Sequence, residues 1–159
     1  HYLAHGDARV VPDVRELRSD GVVFADGSEA QVDAIIFATG YRATIPCVDP
    51  GVLSLDAGAA PLYLNIFPDR AGLYVIGLFE TDGAAYPVVS RQADLVASVI
   101  RAERDDPRRA AWFHAARTGP RPDLTSGIKY VASPRHAIYV QFDEYVHMLD
   151  KMLKRLRPA

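Results

Sequence analysis

The stretch Asp33-Ala-Ile-Ile-Phe-Ala-Thr-Gly-Tyr41 decides the fold class of this chain. Its centre, residues 34–38, is a short apolar run rich in β-branched and aromatic side chains, which is typical of a strand buried on both faces. The pair Thr39-Gly40 ends the run and leaves a turn without a Cβ atom in the way. In open α/β sheets, ligands bind beyond the carboxyl ends of the strands. The sequence therefore predicts an α/β fold in which this strand end faces a ligand.

A β-hairpin is predicted directly before this strand. Residues 21–25 form an apolar run that leads into the pair Asp26-Gly27, and polar side chains at positions 29 and 31 follow. Asp-Gly between two such runs is a strong hairpin signal. Another short strand is predicted over residues 9–14, where Pro12 places it at an edge or an end of a sheet.

A second strand that ends at a glycine is predicted over residues 73–77, which are fully apolar up to Gly77. The side-chain pattern of residues 61–67 alternates, which predicts one more strand. Residues 42–61 are rich in Pro and Gly and predict an irregular connection. Pro87 can open a helix because its missing N–H group is harmless there. Apolar residues at helical spacing then predict a buried helix over residues 87–102, whose first turn is expected close to Gly77.

Two more helices are predicted in the last third of the chain. A short amphipathic helix over residues 108–116 follows Asp106-Pro107 and ends before Gly119-Pro120. Residues 118–136 are expected to form a loop. The final helix covers residues 139–156, where hydrophobic side chains recur at steps of three and four.

Composition excludes several classes of function. The 159 residues are 49% hydrophobic and 24% charged, as in soluble globular proteins, and the net charge of -2 gives no basic surplus for nucleic acid. No apolar run approaches the roughly 20 residues of a transmembrane helix. The single Cys47 permits no internal disulfide, which suits the cytoplasm. No metal site is predicted, because four histidines stand alone without a second ligand at metal spacing: His5, His114, His136 and His147.

Three segments together resemble one enzyme family. These are residues 22–41, residues 72–79 and residues 83–93, in this order and after the turn-like sequence His5-Gly6-Asp7. They are similar to the FAD- and NADPH-dependent monooxygenases of the flavin-containing monooxygenase and Baeyer–Villiger types. The resemblance covers roughly the first two thirds of the chain, and it implies a partial FAD/NAD(P)-binding Rossmann-like fold.

The resemblance also implies that the chain is the C-terminal portion of a longer enzyme. The sequence contains neither of the family's Gly-x-Gly-x-x-Gly fingerprints nor its Phe-x-Gly-x-x-x-His identifier, all of which lie upstream in relatives. Residues 1–18 would then end the NADPH-binding domain. Residues 19–104 would form the C-terminal part of the FAD-binding domain, and residues 105–159 a helical extension packed on it.

The function that the resemblance implies is oxygenation of a small molecule. The parent enzyme would use NADPH and O2 to oxygenate a nucleophilic nitrogen or sulfur, or a ketone, through a C4a-(hydro)peroxyflavin. No residue of this chain is a candidate catalytic acid or base. Without the N-terminal FAD- and NADPH-binding portion of the same enzyme, which would be its partner, the chain is expected to be inactive.

The predicted FAD contacts lie at the two glycine turns and at the start of helix 87–102. Peptide N–H groups at a helix start are positively polarised and can bond a flavin carbonyl or a phosphate oxygen. The candidate residues are Thr39, Gly40, Tyr41, Gly77, Leu78, Tyr86 and Gln92. A purely structural interpretation stays open, in which the glycines only end strands and the tyrosines are half-buried core residues.

Two alternative functions stay open as well. A flavin- or nicotinamide-dependent reductase of the glutathione-reductase superfamily would share the Ala-Thr-Gly motif, although Leu78 stands where those reductases carry an acidic residue, and the chain has no redox cysteine pair. The other alternative is a domain that binds a partner and performs no chemistry.

Overall fold

The computed structural model describes residues 2–40, 44–53, 62–131, 136 and 138–157. The chain divides into two compact units, His1–Arg42 and Ala43–Ala159. Within the described residues the architecture is mixed α/β with small sheets. The elements in chain order are α1 (Tyr2–His5), β1 (Val14–Leu17), β2 (Gly21–Phe24), β3 (Glu29–Gln31), β4 (Glu80–Thr81), α2 (Ala85–Asp105), α3 (Pro107–Thr118), β5 (Tyr139–Val140) and α4 (Phe142–Leu156).

The first unit is built around an antiparallel sheet with the strand order β1-β2-β3. The central strand β2 is buried along its whole length. The predicted hairpin is confirmed: the Asp26 carboxylate accepts a hydrogen bond from the Ser28 N–H at 2.9 Å, and the Phe24 N–H donates to the Ser28 carbonyl at 2.8 Å. The predicted first strand lies later than expected and begins only after Pro12, which cannot donate to a ladder.

The prediction of a doubly buried strand over residues 34–38 is wrong. These residues form no regular strand, and the side chains of Ile36 and Phe37 are 90% and 72% exposed. A strand buried on both faces needs hydrogen-bonding neighbours and covering layers. The sheet of the first unit ends at β3, so the apolar run has no ladder partner among the described residues of this unit.

The second unit is built around three helices. Helix α2 packs on both α3 and α4, and the strands β4 and β5 pair in parallel beside them. The three predicted helices are confirmed, with α2 and α3 longer than predicted and α4 beginning at Phe142 after the short strand β5. The main core contains aromatic rings in edge-to-face contact, such as Phe67 and Phe113 with centroids 4.9 Å apart.

The strand predicted over residues 61–67 is instead a tight buried turn. The Tyr63 N–H donates to the Phe67 carbonyl at 2.9 Å, and this bond closes the turn. Leu64 and Asn65 between them have positive φ angles of 53° and 55°. Asn tolerates this conformation, whereas Leu adopts it rarely. The alternating apolar side chains therefore enter the core from a turn and not from a strand.

The prediction of a strand over residues 73–77 is also wrong. The segment has no strand geometry, and Ile76 is 44% exposed. Its one backbone link to the preceding turn runs from the Val75 N–H to the Ile66 carbonyl, at 2.8 Å. An apolar run of this length does not by itself distinguish a strand from an extended segment that packs against helices.

Helix α3 begins at a well-formed cap. The Asp106 carboxylate accepts a hydrogen bond from the Arg109 N–H at 3.1 Å, and it pairs with the Arg109 guanidinium at 2.7 Å. Pro107 follows the cap, where its missing N–H costs nothing. The junction between α2 and α3 is thus fixed by one side chain.

We expect Asp106→Ala to lower the free energy of unfolding by about 1–2 kcal/mol, because the α3 cap is lost. Asp106→Asn keeps a capping oxygen and should cost less. Arg109→Ala keeps the cap and removes only a partly exposed ion pair, so its cost should stay below about 1 kcal/mol. Urea unfolding of the three variants measures this order, and equal losses for Asp106→Ala and Arg109→Ala would contradict the capping role.

Candidate functional site

Residues 77–79, called here the 77–79 turn, connect the irregular segment 73–76 to β4. Gly77 has a φ of +87°, a conformation that L side chains rarely adopt. Its N–H donates to the side-chain oxygen Oε1 of Gln92 on α2 at 2.8 Å. The turn is therefore attached to the middle of a helix by a side chain and not by a sheet ladder.

Gln92 continues this attachment into the core. Its side chain is completely buried, and its Nε2 donates to the hydroxyl oxygen of Tyr145 on α4 at 2.7 Å. The Tyr145 hydroxyl in turn donates to the carbonyl oxygen of Leu64. Burial raises the pKa of Tyr145 far above its usual value, so the hydroxyl keeps its proton. We call this series of hydrogen bonds, from Gly77 through Gln92 and Tyr145 to Leu64, the buried polar chain.

The two side chains that follow Gly77 pack into different hydrophobic clusters. Leu78 packs into a small apolar cluster with Leu53 and Leu62. Phe79 packs against the main core, with its ring in edge-to-face contact with Tyr145 at a centroid distance of 5.7 Å. Within the described residues the Leu78 N–H has no acceptor. The turn thus has fixed side chains and an open backbone donor at Leu78.

The segment from β4 to α2 is held by the start of α4. β4 pairs in parallel with β5, which leads into α4. The carboxylate of Asp82 accepts a hydrogen bond from the Phe142 N–H at 2.9 Å. Gly83 lies so close to the Phe142 ring that a Cβ atom at position 83 would approach its Cγ atom to 2.3 Å. The close approach leaves room only for glycine.

Helix α2 begins without a side-chain cap, unlike α3 and α4. Ala84 occupies the N-cap position, while Asp106 and Gln141 cap the other two helices with side-chain oxygens. The N–H groups of Ala85 and Tyr86 accordingly have no acceptor among the described residues. The first turn carries no acidic residue. Such a helix start attracts an anion or a carbonyl oxygen.

The structure brings some of the predicted FAD contacts together. Gly77 and Gln92 are in direct contact, and Leu78 belongs to the same turn. Tyr86 is 88% exposed on the first turn of α2. The sequence predicts the first turn of α2 beside Gly77, but Gly77 meets α2 at Gln92, roughly 10 Å further along the helix axis. Both polar ends of the Gln92 side chain already have protein partners, so its effect on a ligand would be indirect.

The remaining predicted contacts belong to other parts of the chain. Thr39 and Gly40 lie in the first unit, at the exposed end of the extended apolar run. Tyr41 lies outside the described residues. Their cofactor contacts stay a prediction.

Sequence reasoning missed the residues that hold the site in place. Tyr145 occurs in the hydrophobic stripe of the last helix, where its hydroxyl group gave no separate signal. Asp82-Gly83 is a recognisable turn pair, but its contact with Phe142 joins residues that are far apart in sequence. Leu64 contributes only a backbone carbonyl, which no sequence pattern reveals.

Other candidate groups have structural partners or form no site. Arg91 on α2 pairs with Asp150 at 3.1 Å and donates to the Pro87 carbonyl at 3.2 Å, so its guanidinium is bound within the protein. No cluster of three or more potential metal ligands occurs in the part of the chain that the structure describes. In the same part, no helix has both the length and the apolar character needed to cross a membrane.

The second unit presents backbone donors at a glycine turn and at an uncapped helix start, where a phosphate or carbonyl oxygen can bind. A family model described as flavin-binding monooxygenase-like matches residues 2–156, and the chain belongs to that family. The resemblance inferred from the three sequence segments is thereby confirmed. The family is one of flavoprotein oxidoreductases of the monooxygenase type. A search of curated proteins found no match.

We expect the stabilising contact of Asp82 to depend on pH. The Phe142 N–H bond holds the pKa of Asp82 below its ordinary value of 3.8. A lowered folded-state pKa means that the contact stabilises the fold above pH 3.8 and that this contribution is lost as the pH falls through the folded-state pKa. Asp82→Ala should therefore melt below the wild type at pH 7, and this gap in Tm should narrow at pH 3.

Asp26→Ala serves as the matched control, because Asp26 also has a lowered pKa but bonds Ser28 in the first unit. Local readouts at the Phe142 amide, such as its NMR shift against pH, should change in Asp82→Ala and stay unchanged in Asp26→Ala. A gap in Tm between the wild type and Asp82→Ala that is constant from pH 7 to pH 3 would contradict the assignment.

Proposed function

We propose that the 77–79 turn and the start of α2 contact FAD in an FAD- and NADPH-dependent monooxygenase. Its small-molecule substrate would be a nucleophilic nitrogen or sulfur compound, or a ketone. The observation that carries the proposal is the set of open backbone donors on one firmly held segment: the N–H groups of Leu78, Ala85 and Tyr86. The family of the chain supplies the kind of ligand, a flavin.

The donor set fits part of a flavin cofactor. Peptide N–H groups bond carbonyl and phosphate oxygens, and the dipole of the long helix α2 adds positive polarisation at its start. The chain has no Gly-x-Gly-x-x-Gly fingerprint, so the adenosine half would be bound elsewhere in the enzyme. When bound, the flavin supplies the chemistry of oxygen activation and the protein supplies binding, orientation and exclusion of water.

The residues of this chain would act by positioning. The Leu78 side chain packs into its apolar cluster, which leaves the backbone N–H of that residue for a ligand. The exposed ring of Tyr86 stands at the helix start and would cover a bound ligand from solvent. Tyr145 is buried, keeps its proton and donates it in a hydrogen bond to Leu64, so it is no general acid here.

We propose further that residues 33–40, which form no strand here, are covered by another part of the same flavoprotein, in a Rossmann-like domain. Support comes from the exposure of Ile36 and Phe37, since large apolar side chains in a row are normally covered. The predicted cofactor contacts of Thr39, Gly40 and Tyr41 belong to the same proposal. The division into an NADPH-domain end, an FAD-domain part and a helical extension is part of the same proposal.

The variant Ala84→Asp tests the helix start with two opposite effects. Ala84 has the extended conformation of an N-cap, so an aspartate can cap the Tyr86 N–H and should stabilise the protein by about 1 kcal/mol. The same carboxylate occupies the donor and repels an anionic ligand, so FAD should bind about tenfold more weakly. Thermal unfolding and a titration of flavin fluorescence measure the two effects on the full-length protein.

Two controls separate capping from charge. Ala84→Ser caps the same N–H without a charge, so it should stabilise similarly and weaken FAD less. Ala111→Glu adds one negative charge on an exposed position of α3 and should leave FAD affinity unchanged. Unchanged FAD affinity in Ala84→Asp, with the expected gain in stability, would overturn the placement of FAD at the start of α2.

A further inference from the structure

We propose that Tyr145 and Gln92 are positioning residues that set the 77–79 turn through the buried polar chain. The inference rests on the proposed flavin contact of this turn, and it adds the residues that decide the position of the turn. Neither residue needs to touch the cofactor, because both are buried and bonded within the protein. The last helix, α4, thus becomes part of the machinery of the site.

The hydrogen bonds of the buried polar chain can run in only one direction, from donor to acceptor. The Gly77 N–H can only donate and the Leu64 carbonyl can only accept, so the two groups between them have no choice of role. The Gln92 amide must turn its oxygen to Gly77 and its NH2 group to Tyr145. The Tyr145 hydroxyl must donate onward to Leu64. A misplaced Gly77 would break this order and leave a buried polar group unpaired.

Tyr145 holds the turn at both of its ends. Its hydroxyl reaches Gly77 through Gln92, and its ring packs edge-to-face on Phe79. Leu78, the residue with the open N–H, lies between these two attachments. A single side chain of α4 therefore fixes the direction in which the Leu78 donor points.

The tight turn at residues 63–67 is coupled to the same donor by two routes. The Leu64 carbonyl is the last acceptor of the buried polar chain. The side chain of Leu62, just before the tight turn, packs in the same small cluster as Leu78. Because Leu64 has a positive φ, the orientation of its carbonyl is unusual, and a rearranged turn would present no acceptor to Tyr145.

Three variants in the full-length protein test this positioning role. Tyr145→Phe removes the hydroxyl but keeps the ring that packs on Phe79. Gln92→Leu removes the acceptor of the Gly77 N–H. Tyr63→Phe is the matched control, because Tyr63 is a buried tyrosine of the same core whose hydroxyl takes no part in the buried polar chain. Among the described residues, this hydroxyl has one hydrogen-bond partner, the Met152 sulfur at 4.0 Å.

The first readout is amide exchange in the protein without added FAD. Exchange of the Gly77 N–H, divided by exchange of the buried Phe113 N–H on α3, should rise at least about tenfold in Tyr145→Phe and Gln92→Leu. It should stay constant in Tyr63→Phe. Because Phe113 exchange reports global unfolding, the ratio separates a change at Gly77 from a change in global stability. A ratio that stays at the wild-type value in all three variants would show a merely structural role and overturn the inference.

The second readout is FAD affinity, compared with Gly77→Ala, which strains the turn itself because a Cβ atom disfavours the positive φ. We expect weaker FAD binding in Gly77→Ala, Tyr145→Phe and Gln92→Leu, and unchanged binding in Tyr63→Phe. Weaker binding in Gly77→Ala alone would overturn the positioning role and leave the flavin contact standing. Unchanged binding in all four, with the exchange ratio raised, would mean that the turn is positioned as inferred but that FAD lies elsewhere, so that the proposed function fails.

Discussion

The buried polar chain from Gly77 through Gln92 and Tyr145 to Leu64 is the constraint on which the second unit depends. Burying a glutamine amide and a tyrosine hydroxyl costs free energy unless every donor and acceptor is paired. Here none of the buried side-chain polar atoms in the described residues lacks a partner. Full pairing requires two helices and two irregular segments to be in place together. The packing of α2 on α4 and the position of the glycine turn therefore depend on the same hydrogen bonds.

This constraint explains how irregular backbone can carry a site. Residues 77–84 have almost no sheet ladder, since β4 and β5 are each two residues long. Their position is set by side chains of helices instead: Gln92 on α2, and Phe142 and Tyr145 on α4. Loops held in this way combine exposed backbone donors with a rigid scaffold. The uncapped start of α2 follows directly from such a loop, so its open N–H groups have a defined position.

The elements that could be predicted from the sequence have local causes. The helices follow from apolar residues at helical spacing and from the Asp106-Pro107 start, and the hairpin follows from Asp26-Gly27. The predicted strands at residues 34–38, 61–67 and 73–77 failed, because a short apolar run reports burial and not the type of element. A strand also needs partners, which a single segment does not reveal.

The same distinction between local signals and distant partners applies to the candidate site. A turn at Gly77 and a helix start near Tyr86 could be predicted because a glycine turn before a helix has a local signal, and their contact with FAD stays a prediction. The hydrogen bonds of Gln92 could not be predicted, since its partner Tyr145 is 53 positions away in sequence and the sequence favours a ligand contact for its amide. Long-range pairing of polar groups leaves no periodicity in a sequence. The missed residues are accordingly those that position the site and not those that border it.

The extent of the family match is consistent with this account of α4. The sequence segments that resemble flavin-dependent monooxygenases end at residue 93, yet the family model continues to residue 156. A helix that only covered the surface could be replaced or lost without disturbing the turn. α4 cannot, because the N–H group of its first residue, Phe142, donates a hydrogen bond to the Asp82 carboxylate, and its fourth residue, Tyr145, completes the buried polar chain. The last helix thus belongs to the same structural unit as the turn, for a reason that lies in hydrogen bonding and not in sequence motifs.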